Sequence, residues 1–165
     1  MIWRRLRRDQ RGVAAIEFAL LSSLFLVITL MSLDAGMFLM RRSQLSNALD
    51  SAALAAFSQR TAVNFVGLPT FVTQASRIPE ATVTVGCNGG TGNCTNSNRT
   101  CACLTKTATF VGATCGSTCT GNVTANSVAG YYMTVSASAP YSPVVMPNGA
   151  FANLSTNQRI TVRLQ

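Results

Sequence analysis

The chain has 165 residues, a formal net charge of +8, no histidine and only 11% charged residues. That length holds one modest domain plus a membrane element, and without histidine neither a Ser-His-Asp nor a Cys-His catalytic arrangement is available. Nor does the basic excess suit a nucleic-acid surface, because half of it lies in residues 1–12, where Arg4, Arg5, Arg7, Arg8 and Arg11 face Asp9 alone, and the rest forms no basic stripe interleaved with aromatics.

Val13 to Leu33 follows that basic leader as VAAIEFALLSSLFLVITLMSL, with Glu17 as its one charge and no proline or glycine. About 20 apolar residues span the hydrocarbon of a bilayer as a helix. This predicts a transmembrane span at about residues 14–36. The arginine flank places the N-terminus in the cytoplasm and everything past about residue 40 outside, with Arg41 and Arg42 opposing only weakly. A cleaved secretory signal also starts with basic residues, but its apolar core is shorter, and Ser32-Leu33-Asp34-Ala35-Gly36 is a poor small-x-small cleavage site. A buried helix of a soluble protein has no use for five flanking arginines.

The helical pattern runs on beyond the span. Leu45, Ala48, Leu49, Ala52, Ala53, Ala56 and Phe57 recur at helical spacing and form one apolar stripe, with Ser46, Asn47, Asp50 and Ser51 off it. Alanine favours the helix. A helix over 13–58 would be about 70 Å long at 1.5 Å per residue, and its second half must pack on something. After a connector at 59–79, the partner is predicted to be a sheet in an external β domain at 80–165. Ala81–Gly86, Tyr131–Ala139 and Arg159–Leu164 alternate with period two, placing Val83 and Val85, then Tyr131, Met133 and Val135, then Ile160, Val162 and Leu164 on single faces. Pro140, Pro143 and Pro147 with Asn148-Gly149 make the last connection irregular. A long helix followed by antiparallel strands is an α+β order.

All six cysteines, Cys87, Cys94, Cys101, Cys103, Cys115 and Cys119, lie in segment 87–119, which is rich in Gly, Asn, Ser and Thr and poor in apolar residues. Such a segment cannot build its own core, and in an oxidising compartment disulfides are the remedy. Six cysteines allow fifteen pairings and the spacing does not choose among them, except that Cys101 and Cys103, sharing a strand face, should not pair together. Zinc would want a C-x-x-C pair or histidines, and neither occurs, so no metal or cofactor is expected. Four Asn-x-Ser/Thr sequons, at Asn93, Asn98, Asn122 and Asn153, are what this composition gives by chance.

The most specific stretch is Arg11-Gly12-Val13-Ala14-Ala15-Ile16-Glu17-Phe18-Ala19-Leu20. A carboxylate just inside a membrane helix is costly, about 2.5–3.5 kcal/mol at the centre and less near an end. The helix dipole accounts for a Glu near the N-terminus but not for a glycine five residues before it. A cut after Gly12 accounts for both, because Val13 becomes a new ammonium and Glu17 its partner, in the same chain or a neighbouring subunit.

This pattern resembles type IV prepilins, and more closely the TadE-like minor pseudopilins of tight-adherence (Tad/Flp) pilus systems. The resemblance covers RRDQRGVAAIEFALL, the apolar span, the alanine-rich Leu45–Ala56 and the Ala139-Pro140-Tyr141-Ser142-Pro143 that follows a late strand. It implies a pilin-like fold, with Gly12 and Val13 flanking a prepilin-peptidase cut and Glu17, next to Phe18, as the signature glutamate. The partners it implies are the inner membrane, other pilins and pseudopilins, the prepilin peptidase and the pilus assembly platform. The expected function is structural: a non-enzymatic minor pseudopilin or assembly accessory. The competing function is a membrane-tethered periplasmic binding module outside any pilus.

Overall fold

In the computed structural model, residues 11–145 and 153–165 are described, residue 11 by its backbone alone. Most of the basic leader (Arg4, Arg5, Arg7, Arg8 and Asp9) and Pro147-Asn148-Gly149 of the expected irregular connection lie outside the described residues. Helix α1 (Arg11–Ser58) is continuous for 48 residues, as the unbroken helical periodicity requires. A short helix α2 (Leu68–Ser76) follows, then strands β1 (Thr82–Cys87), β2 (Gly90–Thr91), β3 (Cys101–Leu104), β4 (Phe110–Ala113), β5 (Tyr132–Pro140) and β6 (Ser155–Arg163). The fold is α+β with small antiparallel sheets and three disulfides.

The described residues form two compact units: 11–38 with 142–145, and 39–141 with 153–165. The second, larger unit has a four-stranded antiparallel sheet in the order β2-β1-β5-β6. Val85 stands opposite Val135, and Val135 opposite Ile160, so the apolar sides of the three main strands fall on one face. Leu45, Ala48, Leu49, Ala52 and Ala56 of α1 share one buried cluster with Tyr131, Met133, Val135, Ala137 and Leu164 from the sheet region, with Val83, Val85, Ile160 and Val162 packed against it. Ala53, 6% exposed, is buried as well. Alanines let the helix approach the sheet closely, while Leu45 and Leu49 fill the space between. Phe57 departs from the expected stripe, for it is half exposed, 49%, with the Arg60 guanidinium 5.7 Å from its ring centre.

Segment 59–79 is more than a connector. Proline in its first turn starts α2, and Leu68, Val72 and Ser76, four apart, bury one face; Arg77 ends it in the left-handed region and donates its N–H to the Gln74 carbonyl. Strand β6 begins four residues earlier than the alternation of Arg159–Leu164 implies, because the polar run Ser155–Gln158 pairs with Pro140–Ala137 of β5.

The cysteine segment also holds more order than its composition suggests. Strands β3 and β4 pair, with Cys101 opposite Ala113 and Cys103 opposite Val111. Cys101, Cys103, Cys119, Val123 and Ala129 form a small second core, so the half-cystines themselves supply the missing apolar volume. The bridges are Cys87–Cys94, Cys101–Cys115 and Cys103–Cys119, with Cα separations of 5.1, 4.9 and 5.7 Å. Cys101 and Cys103 take different partners, as their shared strand face requires.

Candidate functional site

The N-terminal half of α1 is exposed on all sides. Val13, Ile16, Phe18, Leu20, Leu21, Leu24, Phe25, Leu26 and Ile28 are each more than half exposed. An apolar surface this long, unburied by its own chain, needs lipid or other apolar helices around it. Its few hydroxyls do not stand in the way. Ser22 and Thr29 donate to the carbonyls four residues back, and Ser23 and Ser32 to those three back, all at 2.7–2.8 Å. Each hydroxyl is thereby satisfied within the helix, as crossing a hydrocarbon layer requires.

Gly12 lies on this helix with open space around its Cα, and Val13 and Glu17 follow on an exposed surface. Glu17 makes no hydrogen bond or ion pair among the described residues. Phe18, 73% exposed, stands beside it. Gly12, Val13, Glu17 and Phe18 thus lie close together on the exposed apolar helix, and the Glu17 carboxylate has no partner among the described residues.

Asp34, in the turn after the apolar run, is the opposite case. It is 1% exposed, and its Oδ1 accepts hydrogen bonds from the Val144 and Val145 amides, both at 3.1 Å. Taking a carboxylate out of water costs several kcal/mol unless such bonds replace the lost hydration. Both ends of this contact belong to the first unit. Sequence reasoning placed Asp34 on the helix but missed this role; the nearby signal was the proline-bracketed Pro143-Val144-Val145.

In the larger unit, Arg41 forms an ion pair with Glu80 at 3.1 Å and lies 5.8 Å from the Tyr141 ring centre. The outward face of the sheet carries short hydroxyls. Two shallow grooves of about 210 and 340 Å³ share Thr84, Ser136 and Arg159 there, with no carboxylate in either lining. Hydroxyls without a neighbouring base have no means of activation as nucleophiles.

Residues 12–54 match the family model of TadE-like proteins, which covers the exposed apolar segment and most of the buried stripe. Comparisons with curated proteins and with solved structures find no match. The matched family is a pilus component family, and the helix that carries the match is the one long and apolar enough to cross a membrane among the described residues. Over residues 12–54 the chain is similar to TadE-like proteins, and with its long apolar helix this points to a membrane-anchored component of the tight-adherence pilus kind.

Proposed function

We propose that this protein is a minor pseudopilin of a tight-adherence pilus machine. It is held in the inner membrane by α1, with the N-terminus in the cytoplasm and the sheet domain outside, and a prepilin peptidase cuts it between Gly12 and Val13. The observation that carries the proposal is the division of labour along one helix: its first half offers exposed apolar surface and a Glu17 unpartnered among the described residues, and its second half is buried against the sheet.

The bond to be cut lies between the basic leader and the apolar run, and Gly12 beside it has open space around its Cα. Cleavage removes the arginine leader, whose charge resists passage through the bilayer, and creates an ammonium at Val13. Glu17 is one helical turn from that ammonium. In a low-dielectric helical bundle, the pair forms within one chain or between neighbours and fixes the axial position of the subunit. The sheet domain contacts other subunits or the assembly platform, and the disulfides keep it folded outside the cytoplasm.

Deleting the gene in the native host tests this. Tight-adherence pili should be lost or sharply reduced. Wild-type protein should restore them, and Glu17→Ala should do so poorly. Unchanged piliation after deletion would rule out a pilus role and favour a tethered module.

A further inference from the structure

The Asp34 contact combines three features that together point to a partner. First, its position is fixed by helix geometry. The apolar residues from Ala14 to Leu33 rise about 30 Å, the thickness of a bilayer's hydrocarbon core. Asp34 follows directly, at the C-terminal boundary of that layer. The Val144 and Val145 amides bonded to its Oδ1 at 3.1 Å are held at the same depth.

Second, the turn is prepared for an apolar environment. A non-helical segment at the edge of lipid must have its amide donors satisfied. Proline at position 143 has no N–H, and the next two N–H groups both end on Asp34. Residues 143–145 thus leave no unmet backbone donor, while Ser142 before them is exposed and keeps its donors for water or headgroups. Aspartate is suited to this because one carboxylate oxygen can accept two bonds at once. Third, the turn shows an apolar side chain outward: Val144 is 69% exposed. No charged residue lies between Lys106 and Arg159, so nothing in the surrounding sequence opposes contact with lipid.

We propose that the turn at 142–145 is a second membrane contact of this protein, held by the Asp34 carboxylate at the C-terminal end of the span so that Val144 enters the interfacial layer of the bilayer. The occupant is lipid because the contact is continuous with the exposed apolar surface of the span itself. The proposal rests on the reading of α1 as membrane-embedded. The turn gives the anchored protein two points of attachment, which resist rotation of the helix about its own axis.

Fluorescence quenching in vesicles separates the two claims. The full-length protein, with Trp3→Phe to remove its one native tryptophan, is reconstituted in phosphatidylethanolamine–phosphatidylglycerol vesicles containing lipids spin-labelled either near the headgroup or near the end of the acyl chain. Phe25→Trp reports on the span and should be quenched by the deep label. Val144→Trp should emit at shorter wavelength than in water and be quenched by the shallow label more than by the deep one. Adding Asp34→Ala should abolish the Val144→Trp quenching and leave the Phe25→Trp quenching intact, while Asp34→Asn, which keeps an acceptor oxygen, should retain part of it. Alkylation without reductant followed by intact mass verifies that the disulfides survive in each variant. If Phe25→Trp is not quenched, the membrane reading of α1 fails and takes the proposal with it. If Phe25→Trp is quenched and Val144→Trp is not, the second contact is refuted and the anchor stands. If Asp34→Ala leaves the Val144→Trp quenching unchanged, the carboxylate does not hold the turn and the proposal is overturned.

Discussion

The side-chain amide of Asn96 pairs with the backbone of Val63 in both directions: the Val63 N–H donates to Oδ1 and Nδ2 donates to the Val63 carbonyl, each at 3.0 Å. An asparagine here does what a neighbouring strand would do, and ties the start of the disulfide-rich segment to the chain just after α1. Arg99 reinforces the joint. It donates to the Asn96 Oδ1, to the Arg60 carbonyl and to the Thr95 carbonyl, and lies 5.0 Å from the Tyr131 ring centre. The Tyr131 hydroxyl in turn accepts from the Thr95 N–H at 2.9 Å.

Asn96→Ala should therefore destabilise the sheet domain by about 1–3 kcal/mol, because it removes two hydrogen bonds and leaves partly buried backbone groups unmet. Asn96→Asp keeps the acceptor but loses the donor, and should lie between Ala and wild type. Urea unfolding of the full-length protein in detergent reads both. No difference between wild type and Asn96→Ala would show that the joint contributes nothing.

The three disulfides should all be present in native protein, so alkylation without reductant should add no label to the intact mass. Chain-entropy arguments give about 3 kcal/mol for loops near 15 residues, the size class of Cys101–Cys115 and Cys103–Cys119. The Cys103 and Cys119 sulfurs also fill the small second core. Cys103→Ser should then cost more than the entropy of its loop and lower the protein's abundance in the envelope, and Cys103→Ser with Cys119→Ser should not restore it. Recovery in the double variant would mean that the harm came from a stray thiol rather than from the lost bridge.

Leu49 is 2% exposed within the main cluster, and Asp50 beside it is exposed. Leu49→Asp should destabilise by several kcal/mol, on the order expected for an unpaired buried charge. Asp50→Ala should stay within about 0.5 kcal/mol of wild type. Phe57→Ser, at a half-exposed position, should cost far less than Leu49→Asp. Comparable losses at Leu49 and Asp50 would contradict the packing of α1 on the sheet.

Topology has its own test. With the N-terminus in the cytoplasm and one crossing, alkaline phosphatase fused after Gln165 should be active. Activity only of a cytoplasmic reporter at the same position would reverse the orientation.

Much of this architecture was legible because two periodicities carry it. The 3.6-residue repeat marks α1, and strict alternation marks β1, β5 and the latter part of β6. What was not legible has identifiable causes. Phe57 follows Leu45 by twelve residues, which turns it about 120° around the helix, past the edge of the stripe, whereas Ala56 is only about 20° away. Helix α2 was hidden because nine residues with two threonines and a valine give weak helical propensity; buried Leu68 and Val72 hold it in place. The start of β6 is polar, and ladder pairing with β5 rather than side-chain pattern makes it a strand. Among the candidate site residues, the Gly12–Glu17 pattern was visible because the basic leader, the glycine and the glutamate lie close in sequence. The Asp34 contact joins residues 110 and 111 positions apart, which no local pattern encodes.

The central claim is that this is a processed pseudopilin, and its N-terminus in the native host tests that most directly. N-terminal sequencing of the mature protein should read Val-Ala-Ala-Ile-Glu-Phe, the residues from Val13 onward. A bulky replacement of Gly12 should leave a full-length, membrane-held precursor, while Glu17→Ala should still be cut. A native chain that begins at Met1 in cells bearing normal pili would contradict the account.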